Sequence, residues 1–130
     1  MVKGAIWFRT DLRLDDNPAL NSAMEKCDHI VGIYLFSEAQ WNLHNESNVK
    51  HEFLINNLTS LEKSLSKLNI QLIAINTDSY ETLPKDFLSF LKEQKIKNVF
   101  WNNEFGVNES ERDVAVENNL NKNNIQTSRF

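Results

Sequence analysis

The chain has 130 residues and a mass of 15.1 kDa, which is one domain's worth of polypeptide. Hydrophobic residues at 41% and charged residues at 25% exclude a disordered, collagen-like or membrane-spanning chain and predict a packed soluble core. Fourteen Lys and Arg against eighteen Asp and Glu give a net charge of -4, the wrong sign for a chain whose main work is neutralising phosphates.

The lone Cys27 cannot form an internal disulfide. The apolar run after the start, Ala5 to Phe8, is too short for a signal peptide or a membrane span. A cytoplasmic chain with no membrane contact is therefore expected, and a monomer is the expected state. Only three glycines occur, at positions 4, 32 and 106, which excludes the G-x-G-x-x-G fingerprint and the P-loop. No Cys/His cluster has metal-ligand spacing.

Short apolar runs alternate with stretches of helical periodicity, the pattern of parallel strands joined by helices. The fold class predicted is α/β: a three-layer, doubly wound, Rossmann-like sheet of five parallel strands. The strands are expected at Gly4 to Arg9, His29 to Phe36, Ile70 to Asn76, Asn98 to Trp101 and Ile125 to Phe130. The first two are continuously apolar, as strands buried on both faces are. Asn17 followed by Pro18 predicts the start of a short first helix, with Asn17 as its cap. A second helix is expected from Ser47 to Leu68, about 33 Å long at ~1.5 Å per residue. Its apolar stripe is Phe53, Leu54, Leu58, Leu61, Leu65 and Leu68. A third, around Pro84 to Glu93, is expected to bury Phe87, Leu88 and Leu91. The fourth is expected to start at Asn108, with Glu111 at capping-box spacing, and to bury Val114 and Leu120. The chain stops at Ser128-Arg129-Phe130, in or just after the fifth strand, so a piece of a longer protein is expected.

In such a sheet ligands gather outside the carboxyl ends of the strands. Three loops qualify: Arg9 to Asn17, Ser37 to Asn45, and Asn102 to Glu109. Asp11, Asp15 and Asp16 beside Arg9 and Arg13 predict a structural ion-pair network rather than a metal or acid/base site. Taken alone, His44 reads as a surface loop histidine or a ligand contact. Asn108 reads as a helix cap, and Glu109 as a first-turn carboxylate favoured by the helix dipole. Trp7, Trp41 and Trp101 read as core or cleft walls.

Trp7-Phe8-Arg9-Thr10-Asp11-Leu12-Arg13-Leu14-Asp15-Asp16-Asn17-Pro18-Ala19-Leu20 resembles the opening signature of the DNA photolyase and cryptochrome family. The similarity continues through Gln40-Trp41 to His44-Asn45 and through Val107-Asn108-Glu109 to Arg112-Asp113. The resemblance implies the N-terminal α/β antenna-chromophore domain of a class I-like deoxyribodipyrimidine photo-lyase, spanning residues 1–130. The C-terminal helical domain, with FAD and the damaged DNA, would lie outside this chain, which alone would be inactive. The resemblance also implies 5,10-methenyltetrahydrofolate as antenna, contacted by His44, Asn108 and Glu109, and no catalytic residue or metal in this domain. Two alternatives are a cryptochrome-type blue-light photoreceptor and a stand-alone α/β nucleotide-binding module.

Overall fold

The computed structural model describes residues 2–37, 48–79, 81–104 and 106–130, the side chains at 48, 49, 51 and 107–109 excepted. Five strands form one parallel sheet: β1 Lys3–Phe8, β2 His29–Phe36, β3 Gln71–Asn76, β4 Asn98–Trp101 and β5 Gln126–Arg129. The helices are α1 Pro18–Lys26, α2 Asn48–Ser66, α3 Leu83–Glu93 and α4 Val107–Lys122. The strand order is β3-β2-β1-β4-β5. β1 is therefore central, and Ala5 to Phe8 are all buried, which is what a continuous apolar run in a parallel sheet requires.

Each face of the sheet is covered by two helices, giving the three expected layers. Ala19, Leu20 and Ala23 of α1 and Leu61 and Leu65 of α2 pack on Ile6, Phe8 and Phe100. Phe87 and Leu91 of α3 and Val116 and Leu120 of α4 pack on Ala5, Trp7, Val99 and Trp101. Trp7 is the hub of that second layer, its ring 5.2 Å from Phe87 and 5.3 Å from Trp101. Gly32 lets α2 come down on β2: a methyl group there would stand 3.1 Å from the Phe8 ring and 3.3 Å from Leu65.

The expected start of α1 is present. Asn17 Oδ1 accepts the Leu20 N–H at 3.1 Å, and Pro18 sits at the first helical position, where its missing N–H costs nothing. The other three helices end in one shared way. Asn69, Lys95 and Asn124 take left-handed φ of 61°, 59° and 64°. The next residues, Ile70, Ile96 and Ile125, return their N–H to the carbonyls of Leu65, Leu91 and Leu120 at 3.0, 2.9 and 3.0 Å. Each isoleucine is buried just before the following strand. These are Schellman closures with their apolar clasp, made without any glycine.

Four expectations are corrected. The α2 stripe is buried only in its second half: Leu61 and Leu65 are core, whereas Phe53 is 69% exposed, because it lies beyond the carboxyl ends of the strands. Leu68 lies past the helix end and is exposed. α4 begins at Val107 with Gly106 as its cap, so Asn108 is not the cap. Val114 is exposed because the buried stripe of α4 runs through Asp113, Val116 and Leu120, and an aspartate at a core position breaks the apolar pattern. Lys95 lacks the short amide that lets Asn69 and Asn124 tolerate the left-handed region. Lys95→Gly is expected to raise the free energy of urea unfolding by about 0.5 to 1 kcal/mol, and Asn69→Gly by less.

Candidate functional site

In chain order the strands run outward from β1 to β3 and then cross back to β4 on the other side of β1. The reversal between β1 and β4 is where helices diverge and a crevice opens at the carboxyl edge. A cleft of about 760 Å³ lies at that edge. Its floor is Trp7 and Arg9 from the end of β1, one wall is Tyr34 and Phe36 from β2, and the opposite side is Glu104 and Arg112. Phe53, Leu54 and Asn57 of α2 form its outer rim. A larger hollow, about 840 Å³, is lined by Glu62, Lys63, Lys67 and Gln71. It adjoins the amino end of β3, the edge where neither strand ends nor helix starts converge on a ligand.

One charge cluster shapes the cleft floor. Arg9 is 8% exposed and donates to the Asp113 carboxylate and to the Asn102 carbonyl. Its Nε forms an ion pair with Glu104 at 3.1 Å, and Glu104 accepts hydrogen bonds from Arg112 Nη2 at 2.9 Å and from Thr10 Oγ1 at 3.3 Å. Both guanidinium groups lie against the Trp7 ring, Arg9 at 4.7 Å and Arg112 at 5.5 Å from its centroid. Two cations and two carboxylates thus balance, which is the condition for holding a guanidinium out of water.

The ion-pair network expected within the loop after β1 is not how that loop is built. Arg9 turns away to α4 and the β4 loop, and Arg13 donates to the carbonyls of Asp15 and Asp16 at 3.2 and 3.3 Å. Asp11 instead accepts the Arg9 N–H at 2.9 Å and the Asn102 amide at 2.7 Å. Asn102 also donates to Asn17 Oδ1 at 2.7 Å and accepts the Ala19 N–H at 3.1 Å. Hydrogen bonds with definite directions, rather than charge pairing, therefore join the β1 loop, the start of α1 and the end of β4.

Among the predicted site residues, the backbone of Asn108 and Glu109 lies in the first turn of α4, directly after the β4 loop. His44 and Trp41 fall outside the described residues. Trp7 and Trp101 are buried as expected. Sequence reasoning placed Glu104 in a candidate ligand loop without singling it out, and did not find Arg112 as a cleft residue or Asp113 as the buried partner beneath it. The signal available for Asp113 was a charge at a position one turn before the apolar Val116 and two before Leu120. Burial first, and then the Asp28 carboxylate, push the Cys27 thiol up from its usual range, away from the thiolate form. Among the described residues no group of three His, Cys, Asp or Glu side chains is placed to hold a metal. No described helix is long and apolar enough to cross a membrane.

A family model described as DNA photolyase matches residues 5–130. The chain belongs to the DNA photolyase family. Over 121 residues it is 36% identical to a deoxyribodipyrimidine photo-lyase of Buchnera aphidicola subsp. Acyrthosiphon pisum, covering 92% of this chain and 25% of that protein. Over 115 residues it is 30% identical to Cryptochrome-1 of Spalax judaei, covering 88% of this chain and 19% of that one. The fold matches that of an archaeal photolyase from Sulfolobus tokodaii, solved with two FAD molecules, with a TM-score of 0.80 and 24% identity over 99% of this chain and 29% of the other. The chain thus spans about a quarter of the length of the photo-lyase relatives it matches. In this family member the Arg9–Asp113 pair sits under the cleft. Asp113→Ala is expected to lower the free energy of unfolding by about 3 to 5 kcal/mol, because Arg9 keeps its charge and loses its main partner. Combining Arg9→Met with Asp113→Leu is expected to recover most of that loss in denaturant melts.

Proposed function

We propose that this chain is the light-harvesting module of a deoxyribodipyrimidine photo-lyase, holding an antenna chromophore at the carboxyl edge of its sheet. The observation that carries the reading is the cleft over Trp7 and Arg9, formed where the opening signature, Trp7 to Leu20, leaves β1. Its volume is within the range of small-molecule sites, roughly 300 to 1,000 Å³. Its walls combine apolar side chains, Leu12, Tyr34 and Leu54, with the polar Glu104 and Arg112. That mixture suits a flat heterocycle with one hydrogen-bonding edge.

The chromophore proposed is 5,10-methenyltetrahydrofolate, which supplies near-ultraviolet absorption and passes its excitation to FAD. His44, Asn108 and Glu109 are the residues proposed to hold it. A pterin edge presents a ring N–H beside an exocyclic amino group, and a carboxylate accepts such a pair as it accepts an arginine fork. Glu109 lies in the first turn of α4, where the partial positive charge of the helix end favours its ionised form. Asn108 can both donate and accept along the mixed ring edge. His44 would line the wall or meet the pteridine carbonyl.

FAD, the pyrimidine dimer and the light-driven repair belong, in this reading, to a C-terminal helical domain outside the chain. Damaged DNA is then a partner of the full-length protein only, which fits the net charge of -4. A cryptochrome-type photoreceptor is the second reading, favoured by the 30% identity to Cryptochrome-1 and ranked below the first because the photo-lyase match is 36%. A stand-alone nucleotide-binding module is disfavoured by the family match across residues 5–130.

Titrating the chain with 5,10-methenyltetrahydrofolate while following near-ultraviolet absorbance tests the reading. Glu109→Ala is expected to weaken binding by about 10- to 150-fold, the equivalent of ~1.5 to 3 kcal/mol for a hydrogen bond to a charged group. Equal binding by the two proteins discards the role given to Glu109. Illuminated with FAD and dimer-containing DNA, the chain alone is expected to show no repair, and measurable repair would overturn the division of labour.

A further inference from the structure

The side chains of α2 sort into three stripes at helical spacing. Leu61 and Leu65 point to the sheet and are fully buried. Glu62 and Ser66 lie on the flank toward β3, beside the larger hollow. Lys50, Phe53 and Asn57, on the opposite flank, line the cleft over Trp7. Phe53 is the most exposed large hydrophobic side chain among those described, at 69%. A single exposed apolar residue is ordinary on a protein surface. This one stands at the mouth of a ligand-sized cleft, next to half-buried Leu54 and Leu12.

The other aromatic side chains described in the cleft are already engaged. Trp7 is 1% exposed and carries two guanidinium groups on its ring. Tyr34 and Phe36 stack on one another, with centroids 6.4 Å apart and planes 19° from parallel. Among the described aromatic residues of the cleft, Phe53 is the one whose ring stands exposed at the mouth, open to an incoming molecule. It is held at that place by a helix whose next turns are anchored through Leu61 and Leu65.

We propose that Phe53 is the stacking residue of this cleft, closing on a planar, fused heterocycle of the pterin or flavin kind. The proposal rests on the chromophore reading and deepens it. An aromatic ring gains most from a flat, conjugated partner lying offset and parallel to it, and gains little from a puckered, saturated ring that touches it at few atoms. Phe53 therefore favours a heterocycle with an extended conjugated, near-ultraviolet-absorbing system over relatives in which that conjugation is shorter. A cationic ring, such as the amidinium of a methenyl-bridged pterin, is favoured further by the negative face of the phenyl group.

The test compares wild type, Phe53→Leu and Phe53→Tyr. Leucine keeps apolar bulk and removes the ring, and tyrosine keeps the ring. Each protein is titrated with 5,10-methenyltetrahydrofolate and, separately, with FAD, and the absorbance of the bound heterocycle is followed. Tetrahydrofolate, which lacks the methenyl bridge and the conjugation and charge that it brings, serves as the competitor. For whichever heterocycle the wild type takes, Phe53→Leu is expected to raise Kd about 5- to 10-fold, to remove the stacking-induced spectral shift and to narrow the preference over tetrahydrofolate. Phe53→Tyr is expected to stay within about twofold of wild type in Kd. All three are expected to melt within ~2 °C of one another, because the ring contributes little to the core. A Phe53→Leu protein with wild-type affinity and spectrum overturns the stacking role while the chromophore reading stands. A wild-type chain that takes neither heterocycle overturns both.

Discussion

A guanidinium removed from water at the end of the central strand sets the terms for everything around it. Arginine does not lose its proton inside a protein, so a buried guanidinium has to be met by acceptors and counter-charges. Arg9 finds its acceptors in two distant parts of the chain, the Asn102 carbonyl after β4 and Asp113 in the second turn of α4, and Glu104 lies beside its Nε as a second counter-charge. The end of β1, the β4 loop and α4 are thereby fixed together at the point where the sheet reverses direction. The same guanidinium lies on Trp7, the hub of one core layer, so the cleft floor and the hydrophobic core share one side chain.

Around that point the chain uses polar bonds where direction matters and apolar burial where it does not. Asn17, Asn102 and Asp11 form a small hydrogen-bonded set that joins two loops and the start of α1. Each amide in it both donates and accepts, which a pair of opposite charges would not do. At the far ends of α2, α3 and α4 the task is only to stop a helix and start a strand. There the solution repeats: a left-handed residue, a bond back to the last turn, and a buried isoleucine. The carboxyl edge is thus individually built, whereas three of the four helix-to-strand joints at the amino edge repeat one design.

That asymmetry suits a domain that presents one edge to a ligand. The chain belongs to the DNA photolyase family and spans about a quarter of the length of the photo-lyase relatives it matches. In the proposed reading it collects light and leaves the chemistry to another domain. The acidic balance raises no conflict with such a role.

The sequence by itself determined the class of fold, because continuous apolar runs and helical spacing are local patterns that survive without knowledge of neighbours. β2 and β4 fall at the predicted bounds, and Asn17-Pro18 marks the start of α1. It also determined the family, through a run of residues, Trp7 to Leu20, long enough to be read directly. The tertiary structure alone decided where the charges of that run go. Arg9 and Asp113 are 104 residues apart, and nothing in the local alternation of Arg and Asp shows that Arg9 leaves its neighbours for a distant helix. It likewise decided that Phe53 faces a cleft while Leu61 and Leu65, on the same helix, face the core. A helix's own periodicity specifies which side chains share a face, but only the length of the strands beneath it determines where the sheet stops and that face opens to a ligand.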